Sequence, residues 1–580
     1  MSEQRNLVLA IILSVGIILA WQFLYEIPRL EQQRAQMAVQ EMQEAARPDS
    51  DATLPAPNTA GASLGDASGA AETPVSRDAA LAEADRVRID NGRLHGSLNL
   101  KGARLDDITL ADYHETIDPN SPEIILFSPS NGPAGYFAEF GWVAREEGVA
   151  LPDAETVWQA SGGEIGQNGP VTLLHDNGEG LRFSRTVNLD DNYMFTLTRS
   201  VTNDGDTPVT LFPYGLISRH DTPATQGIWI LHEGPIGVLQ DTLEEVNYGE
   251  LRDEGVIAFE GSTGGWLGIT DKYWLAALVP DQTTPLTGTF RHTMRDNRDR
   301  YQSDYLGGGL TVQPGQTVQV TDRIFVGAKE VRLLDAYSQQ YSIPLFDRAV
   351  DFGWFYFITK PFFYALNYLN QVFSNYGVAI LILTLGIKIV FFPLANKSYV
   401  AMSKMKALQP EMLRLREKHE DDKMKLNQEM MALYKREKVN PAAGCLPILI
   451  QIPIFFSLYK VLFVSIEMRH APFFGWIQDL SAPDPLSIFN LFGLLPFEVP
   501  AFLVIGIWPL LMGATMWLQT KLNPAPTDPM QARIMAMLPF MFIFLFATFP
   551  AGLVIYWTWN NVLSIGQQWL IMRRMGVKLS

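Results

Sequence analysis

Long apolar stretches are the feature that most constrains this chain of 580 residues. One stretch occupies 7–25, and five more follow in the second half, at 376–394, 446–466, 499–518, 534–549 and 552–571. A helix needs about 20 mostly apolar residues to cross the hydrocarbon core of a bilayer. The sequence therefore predicts a polytopic α-helical membrane protein with six spans.

The first half of the chain has a different character. Residues 27–350 hold 24 Lys/Arg and 47 Asp/Glu, so the net charge of −17 divides into −23 for this part and +6 for the rest. Residues 31–80 are rich in Gln, Ala, Pro and Ser, a composition that buries too little apolar surface to become ordered. From 86 to 326, apolar and polar residues alternate between Asn-Gly and Asp-Gly turns, as around Tyr193, Phe195 and Leu197. This part is predicted to be an antiparallel β-sandwich on a flexible tether.

Lys and Arg residues near the ends of the spans set the expected orientation. Residues 395–443 contain eleven of them, whereas residues 467–498 contain only Arg469. The first of these loops is therefore predicted to be cytoplasmic. Six spans then place both termini in the cytoplasm and the acidic β domain in the periplasm of a bacterial inner membrane. The stretch 7–25 has no convincing small-x-small cleavage site and indicates a retained anchor, with a signal peptide as the alternative.

Two further segments have helical patterns. Residues 344–374 combine many aromatic residues with charged ones such as Asp347 and Lys360, which predicts an amphipathic helix on the membrane surface. In residues 396–440, Met and Leu recur every three or four residues on both sides of a polar turn, which predicts a helical hairpin. The expected domains are an N-terminal anchor at 1–28, a disordered linker at 29–84, the β-sandwich at 85–343, the interfacial helix at 344–374 and a membrane core at 375–580 that contains the hairpin.

Lys388 lies inside the second span, where burial of an ammonium costs about 3 kcal/mol on insertion scales. Thr384 precedes it by one turn, and Gln451 and Asn561 lie in the third and sixth spans, so a hydrated cavity around the cation is favoured. The alternative is that Lys388 extends its stem to the cytoplasmic headgroups and that the other polar side chains only join helices. No Asp or Glu lies in any predicted span, which disfavours a proton-coupled transporter.

The sequence contains neither a nucleotide-binding P-loop nor a zinc-binding pair of histidines. Cofactors and metals are therefore not expected, and the chain is not expected to be an enzyme. A periplasmic sugar-processing enzyme stays open as an alternative, because a carboxylate and a histidine of the β domain could converge in one cleft.

Three runs in the second half closely resemble the YidC membrane-protein insertases: QEMMALYKREKVNPAAGCLPILIQIPIF at 428–455, TDPMQARIM at 527–535 and FPAGLVIYW at 549–557. The run GGWLGITDKYWLAALVP at 264–280 is similar to the periplasmic segment of the Gram-negative members. The resemblance implies a five-span core around a hydrophilic groove, which receives hydrophobic segments of new membrane proteins. The implied function is that of an insertase and chaperone acting alone or with the Sec translocon. A translocon-associated assembly factor without independent insertion activity is the alternative.

The same resemblance implies the partners of the chain. They are nascent integral membrane proteins, the Sec translocon with its accessory subunits, membrane lipids and, through the hairpin, the ribosome or targeting machinery. Nucleic acid is not expected among them.

Individual positions follow from the resemblance as well. The groove would be lined by Lys388, where family members commonly carry an arginine, and by Thr384, Gln451 and Asn561. The substrate path would include Cys445, Leu446, Pro447, Tyr556 and Trp557. For Cys445 and the prolines, simple helix packing is an equally good account.

Overall fold

The computed structural model describes residues 75–225, 231–295, 297–419, 422–437, 439, 446–492, 494–495, 497, 499–500, 504–523 and 529–574, without the side chains of 423, 446–450, 529 and 531. The predicted anchor at 1–28 and most of the predicted linker at 29–84 lie outside the described residues. The chain divides into two compact units. We call Leu54–Tyr364 with Phe456–Ser481 the β unit, and Met1–Thr53, Ala365–Phe455 and Ala482–Ser580 the helical unit.

Two large sheets form the β unit in its described part. The strands are β1 (Arg86–Asp90), β2 (Leu94–Asn99), β3 (Arg104–His114), β4 (Glu123–Phe127), β5 (Tyr136–Ala144), β6 (Gln159–Ser161), β7 (Ile165–Gly166), β8 (Val171–Asp176), β9 (Leu181–Leu189), β10 (Met194–Asn203), β11 (Val209–His220), β12 (Gly234–Leu239), β13 (Thr242–Glu245), β14 (Val256–Thr263), β15 (Trp266–Thr270), β16 (Trp274–Val279), β17 (Pro285–Arg295), β18 (Arg298–Gly307), β19 (Leu310–Val312) and β20 (Thr317–Ala328). Short helices accompany them, namely α1 (Arg77–Leu81), α2 (Tyr248–Glu254) and α3 (Val331–Gln340).

The strand order corrects one detail of the sequence prediction. One sheet runs β14-β17-β18-β11-β5-β3-β2-β1-β7, with β19 and β4 paired at its side, and the other runs β13-β12-β15-β16-β20-β10-β9-β8-β6. Neighbouring strands are antiparallel, except that β1 and β7 pair in parallel, with Ile89 opposite Ile165. A wholly antiparallel sandwich is therefore wrong at this edge. Only short hairpin connections force strands to run antiparallel, and a long connection separates these two.

Alternation along the strands builds the core. Tyr193, Phe195 and Leu197, which mark the alternating pattern in the sequence, are all buried. Arg199 occupies the next inward position of β10, between Leu197 and Val201, and is itself buried. An arginine thus continues a series of apolar core positions.

The predicted interfacial helix begins later than expected. Residues 346–349 form a 3-10 turn (Phe346–Ala349), and the helix α4 spans Tyr356–Phe373. Gly353, in the left-handed region at φ 70°, separates the two. The Lys360 ammonium donates to a carboxylate oxygen of Asp335 in α3 (2.8 Å) and of Asp347 in the 3-10 turn (2.7 Å). This double ion pair fixes the first turns of α4 within the β unit.

A second chain segment, Phe456–Ser481, completes the β unit. Lys460 pairs with Asp351 at 2.8 Å. Arg469 donates from Nη2 to the backbone carbonyl of His114 at the end of β3 (2.6 Å), and its guanidinium lies 5.5 Å from the Trp274 ring centroid. Residues far apart in sequence therefore close this unit.

The helical unit contains the last part of helix α4, the first part of helix α8 and the remaining long helices. These are α5 (Tyr376–Val390), α6 (Phe392–Lys418), α7 (Lys423–Arg436), α8 (Leu446–Val464), α9 (Ile507–Leu522), α10 (Pro529–Phe546) and α11 (Ala551–Arg574). Among the described residues, no single helix is both long and apolar enough to cross a membrane, although α5 and α6 pass together as a pair bent by 70°. The six-span arrangement stays a prediction.

Two predicted span boundaries are wrong as helix boundaries. The span 376–394 was expected to continue to Leu394, but α5 ends at Val390, and Leu394 belongs to α6. Pro393 stands in the first turn of α6, where a proline is favoured because its missing N–H would have no partner within the helix. The span 499–518 was expected to begin at 499, but α9 begins at Ile507, where the Asp484 carboxylate accepts from the backbone N–H of Trp508 (3.0 Å).

Two helices occupy the segment predicted as a hairpin. The helix α6 ends at Lys418 and α7 begins at Lys423, where Asp422 accepts from the backbone N–H of Lys425 (3.0 Å). Arg436 pairs with Glu411 across the two helices at 2.6 Å. The helices therefore lie side by side.

Candidate functional site: a cavity around Lys388

Lys388 lies in the last turn of α5 and is half-buried. Its ammonium donates a hydrogen bond to the Ser564 hydroxyl oxygen of α11 (2.8 Å). The Ser564 hydroxyl in turn donates to the carbonyl of Asn560 (2.8 Å). The Tyr399 hydroxyl also lies within hydrogen-bonding reach of the Ser564 hydroxyl. In the part of the chain that the structure describes, no carboxylate pairs with Lys388. The cation therefore donates to a neutral hydroxyl.

A cavity of about 40 Å³ adjoins this ammonium. The bend between α5 and α6 forms one side of it, and α8 forms the other. The residues that line it are Ile387, Lys388, Phe391, Leu394, Ala395, Tyr399, Gln451 and Ile454. A water needs roughly 10–15 Å³ of such volume, so the cavity has room for two or three waters and not for a polypeptide segment.

Gln451 contributes the second polar group of the cavity. It projects from α8, and its amide nitrogen donates to the Tyr556 hydroxyl of α11. Tyr556 is buried behind it. The structure thus brings two of the four predicted groove residues, Lys388 and Gln451, to one cavity.

Thr384 and Asn561 lie elsewhere. Thr384 is buried, and its hydroxyl donates to the carbonyl of Ile380 within α5 (2.6 Å). The Asn561 amide donates to the Thr515 hydroxyl of α9 (3.2 Å), which joins α11 to α9. For these two residues the structure favours the alternative of intrahelical and interhelical hydrogen bonding.

The proposed substrate path is described only in part. The Trp557 ring packs edge-on against Phe455 of α8, with ring centroids 4.6 Å apart, and lies 5.1 Å from the ring of Phe546. Leu446 and Pro447 begin α8, but their side chains, like all of Cys445, lie outside the described residues. The visible part of the path is therefore an aromatic contact between α8 and α11.

The sequence interpretation missed Ser564 and Tyr399. A signal for Ser564 exists, because Asn560, Ser564 and Gln568 recur every four residues and so share one face of α11. Tyr399 carries no such signal, since it falls in a segment interpreted only as part of the hairpin.

The β unit contains the kind of pair that the enzyme alternative required. His292 Nε2 lies 2.9 Å from Asp299 Oδ1, and the other carboxylate oxygen accepts from the Thr222 hydroxyl (3.0 Å). The hydrogen bond from His292 is the largest cause that holds the pKa of Asp299 below its ordinary value. Arg252 approaches the same carboxylate at 3.4 Å. The carboxylate is thus engaged by neighbours on both oxygen atoms.

A two-sheet unit is thus combined in one chain with a unit of apolar helices. Two family models match the chain accordingly, 60Kd inner membrane protein over residues 368–578 and YidC periplasmic domain over residues 86–365. The chain belongs to the YidC membrane protein insertase family.

Individual proteins support this assignment. The Membrane protein insertase YidC of Methylobacterium sp. (strain 4-46) is 51% identical over 602 residues, covering 100% of this chain and 96% of the relative. The protein of the same name from Nitrobacter hamburgensis is 53% identical over 597 residues, with the same coverage of 100% and 96%. A crystal structure described as active YidC insertase with the first transmembrane domain resolved covers 83% of this chain and 91% of its own, at 18% identity and a TM-score of 0.34. That structural overlap is too small to support any argument.

Proposed function

We propose that this protein inserts integral membrane proteins into the inner membrane and helps them to fold, and that Lys388 attracts their acidic residues. The observation that carries the proposal is the ammonium of Lys388, which contacts the Ser564 hydroxyl and pairs with no carboxylate of the described residues. A cation left without a counter-charge in an apolar setting favours the approach of an acidic group. The adjoining cavity has room for two or three waters to accompany that group.

The size of the cavity requires the helices to part during insertion. An incoming apolar segment would pass between α8 and α11, the helices that correspond to the predicted third and sixth spans. These helices are joined by the hydrogen bond from Gln451 to Tyr556 and by the contact of Phe455 with Trp557. A hydrogen bond between membrane helices contributes on average about 0.6 kcal/mol, so this closure opens at little cost.

Two sources of free energy drive the step. Transfer of apolar surface out of water yields about 25 cal/mol per Å² and favours entry of the hydrophobic segment into lipid. An outside-positive membrane potential adds about 2.3 kcal/mol per 100 mV for each acidic charge that crosses outward. Acidic tails are therefore assisted and basic tails opposed.

The proposed topology has six spans, both termini and the hairpin of α6 and α7 in the cytoplasm, and the β unit in the periplasm. The distribution of Lys and Arg supports it. Exposed apolar side chains along α10 support contact with lipid: Met530, Ile534, Met537, Phe540, Met541 and Phe544. The proposed partners are nascent membrane proteins, the Sec translocon with its accessory subunits, lipids and, at the hairpin, the ribosome or targeting machinery, without nucleic acid.

We propose no enzymatic activity, cofactor or metal for the chain. The engaged state of Asp299 supports this, because its lowered pKa and its contacts with His292 and Arg252 suit an ion-pair network better than a general base. Deletion of the β-unit strands would remove a sugar-processing activity entirely, whereas the insertase proposal places the essential cation in the helical unit.

The test is insertion of a single-span substrate with an acidic tail into liposomes that contain only this protein. We expect Lys388→Arg to insert the substrate as the wild type does, and Lys388→Ala and Lys388→Glu to lose activity, the latter by at least ~10-fold, equivalent to about 1.4 kcal/mol. Lys397→Glu is the matched control, because Lys397 is exposed on α6 and does not line the cavity. Its activity should stay near that of the wild type.

Two results would contradict the proposal in different ways. Absence of insertion by the purified wild type would favour the translocon-associated assembly factor. Equal activity of all Lys388 variants would instead leave insertion intact and reduce Lys388 to an anchor that extends to the headgroups.

A further inference from the structure

A short segment of the helical unit exposes an unusual amount of apolar surface. We call residues 487–497, between α8 and α9, the apolar loop. Residues 485–497 read PLSIFNLFGLLPF and contain no charge. Six large side chains of the loop are exposed, with Leu494 82% exposed: Phe489, Leu491, Phe492, Leu494, Leu495 and Phe497. So many exposed large apolar side chains in one short segment are uncommon on a surface that faces water.

The backbone of the apolar loop is hydrogen-bonded within itself. Its N–H groups donate to carbonyls of the same loop in five places: Leu491 to Ile488 (3.2 Å), Phe492 to Ser487 (2.7 Å), Leu494 to Leu491 (3.3 Å), Leu495 to Asn490 (3.0 Å) and Phe497 to Leu495 (3.0 Å). The Ile488 N–H donates to Ile505 just before α9 (3.1 Å). Hydrocarbon offers no partners for backbone groups, so irregular backbone near lipid must satisfy them internally. The loop meets this requirement at these positions.

Two consecutive residues adopt a strained conformation. Leu491 and Phe492 lie in the left-handed region, at φ 49° and 60°. For residues other than glycine this costs roughly 1–2 kcal/mol each. The backbone nevertheless turns there and leaves both side chains exposed. Such strain persists where the surroundings compensate it, and burial of the exposed side chains in lipid would do so.

The position of the loop relative to α9 is fixed by hydrogen bonds of Asp484. The Asp484 carboxylate accepts from the backbone N–H of Leu486 (3.2 Å) on the loop side and from Trp508 (3.0 Å) in the first turn of α9. Asp484 is buried, so the link is not a mobile surface contact. The loop therefore lies at the level where α9 begins. The helix α9 falls within the region that matches the inner membrane protein model.

We propose that the apolar loop is immersed in the lipid beside the start of α9, as a fixed anchor among the acyl chains. Under the orientation proposed above, this is the periplasmic leaflet. The absence of charge, the internal hydrogen bonds of the backbone and the continuity with a membrane helix all fit lipid as the occupant. The inference requires the helical unit to lie in a membrane and does not depend on insertase activity.

The test uses the full-length protein in vesicles of phosphatidylethanolamine and phosphatidylglycerol. The photoreactive residue p-azidophenylalanine replaces Phe492 in one variant and Leu494 in another. The first exchange is nearly isosteric, and the second concerns a side chain that is already exposed. A third variant carries the probe at Met294, an exposed residue of β17 in the β unit. After illumination, mass spectrometry identifies what is attached to each probe.

We expect phospholipid adducts at positions 492 and 494, at least ~10-fold more abundant than at position 294, a ratio equivalent to about 1.4 kcal/mol. Adducts to a second copy of the chain or to its own β unit would overturn the proposal, as would lipid adducts no more abundant than at position 294. Insertion activity is measured on the same vesicles. Lipid adducts without insertion would contradict only the proposed function, and insertion without lipid adducts would contradict only the lipid anchor.

Discussion

Each of the two units contains a cationic side chain that is at least half-buried, and the two cations have opposite kinds of hydrogen-bond partners. In the β unit, Arg199 is fully buried and donates to the Asp322 carboxylate, with 3.0 Å from its Nε. Its Nη1 also donates to the carbonyls of Gly141 (2.6 Å) and Tyr214 (2.9 Å), which belong to the other sheet. In the helical unit, Lys388 donates to the Ser564 hydroxyl, without a carboxylate among the described residues.

The difference separates a structural charge from an available one. A buried ion pair with all its donors used holds one arrangement of the sheets, and removal of one partner leaves an uncompensated charge. A half-buried ammonium beside a small, mostly apolar cavity donates, among the described residues, to a hydroxyl and pairs with no carboxylate. Burial alone therefore does not distinguish a structural cation from a functional one, whereas the set of hydrogen-bond acceptors does.

The largest loss of stability is expected when Arg199 is replaced. Its replacement by Met leaves the buried Asp322 carboxylate without its cationic partner, with the Tyr305 hydroxyl still donating to it, and removes a donor from two backbone carbonyls. The free energy of unfolding of the β unit should therefore fall by about 3–5 kcal/mol. Hydrogen exchange of the β10 amides in the full-length protein in nanodiscs measures this. The control is Arg182→Met, since Arg182 pairs with Asp204 at the exposed surface, where solvent screens the pair, and its replacement should leave the stability close to that of the wild type. Equal losses for both variants would show that Arg199 is not the structural charge described here.

The next effect comes from two histidines of the β unit, His220, which is buried, and His232, which is partly buried. Burial is the largest cause that lowers the pKa of both His220 and His232 to about 4; Arg300 and Arg298 lower that of His220 further. The unfolded chain therefore binds protons between pH 6.5 and 4 that the folded chain does not bind. Stability is complete above pH 6.5 and falls as the pH falls to 4, by at most about 3 kcal/mol per histidine.

Thermal unfolding of the full-length protein in detergent, followed by circular dichroism from pH 7 to pH 4, checks this. The variant His220→Phe should lose part of the pH dependence, because the Phe137 ring already packs edge-on against this position (5.8 Å). The variant His95→Gln, at a more exposed position, should retain the dependence. An unchanged profile in His220→Phe would assign the acid sensitivity to other groups.

A smaller effect is expected where polar groups join membrane helices. Asn561→Leu removes the hydrogen bond to Thr515, and such bonds contribute on average about 0.6 kcal/mol. Steric trapping of the protein in bicelles measures the change. The matched variant Thr515→Val should give a similar loss, and the double variant no more than either alone. A loss of insertion activity far larger than this change in stability would indicate that Asn561 contacts the substrate in the groove.

The smallest change in stability is expected for replacement of Lys388. Lys388→Met removes a cation without exposing a buried carboxylate of the described residues, so the free energy of unfolding should change by no more than about 0.5 kcal/mol, even as insertion of acidic tails declines. The same steric-trapping measurement decides the matter. A loss as large as that of Arg199→Met would make Lys388 a structural cation.

The β strands were largely predictable because alternation has a fixed period. Tyr193, Phe195 and Leu197 are buried as the alternating pattern predicts. Arg199 follows in the same phase and was still missed, because an arginine is ordinarily assigned to the surface. The phase of the strand was the better guide than the residue type.

For the helical unit, the sequence predicted which segments are helical but not where the chain bends. Hydropathy identifies apolar stretches but cannot show where the chain turns, so the bend after Val390 was missed although Pro393 signals it. Within the site, Lys388 and Gln451 line one cavity, and their role in a substrate groove stays a prediction. Thr384 shares the helix face of Lys388, but its short side chain reaches only the carbonyl of Ile380.

The composition of the β unit from two chain segments has a consequence during synthesis. The segment Phe456–Ser481 leaves the ribosome about 90 residues after Tyr364, which is roughly 5–20 s at about 5–20 residues per second. Until then, His114 lacks the hydrogen bond from Arg469, and Asp351 lacks its pair with Lys460. The β strands can therefore assemble first, and the unit closes only after most of the hairpin and α8 have been made. Completion of the β unit is therefore coupled to synthesis of the helices that lie between its two chain segments.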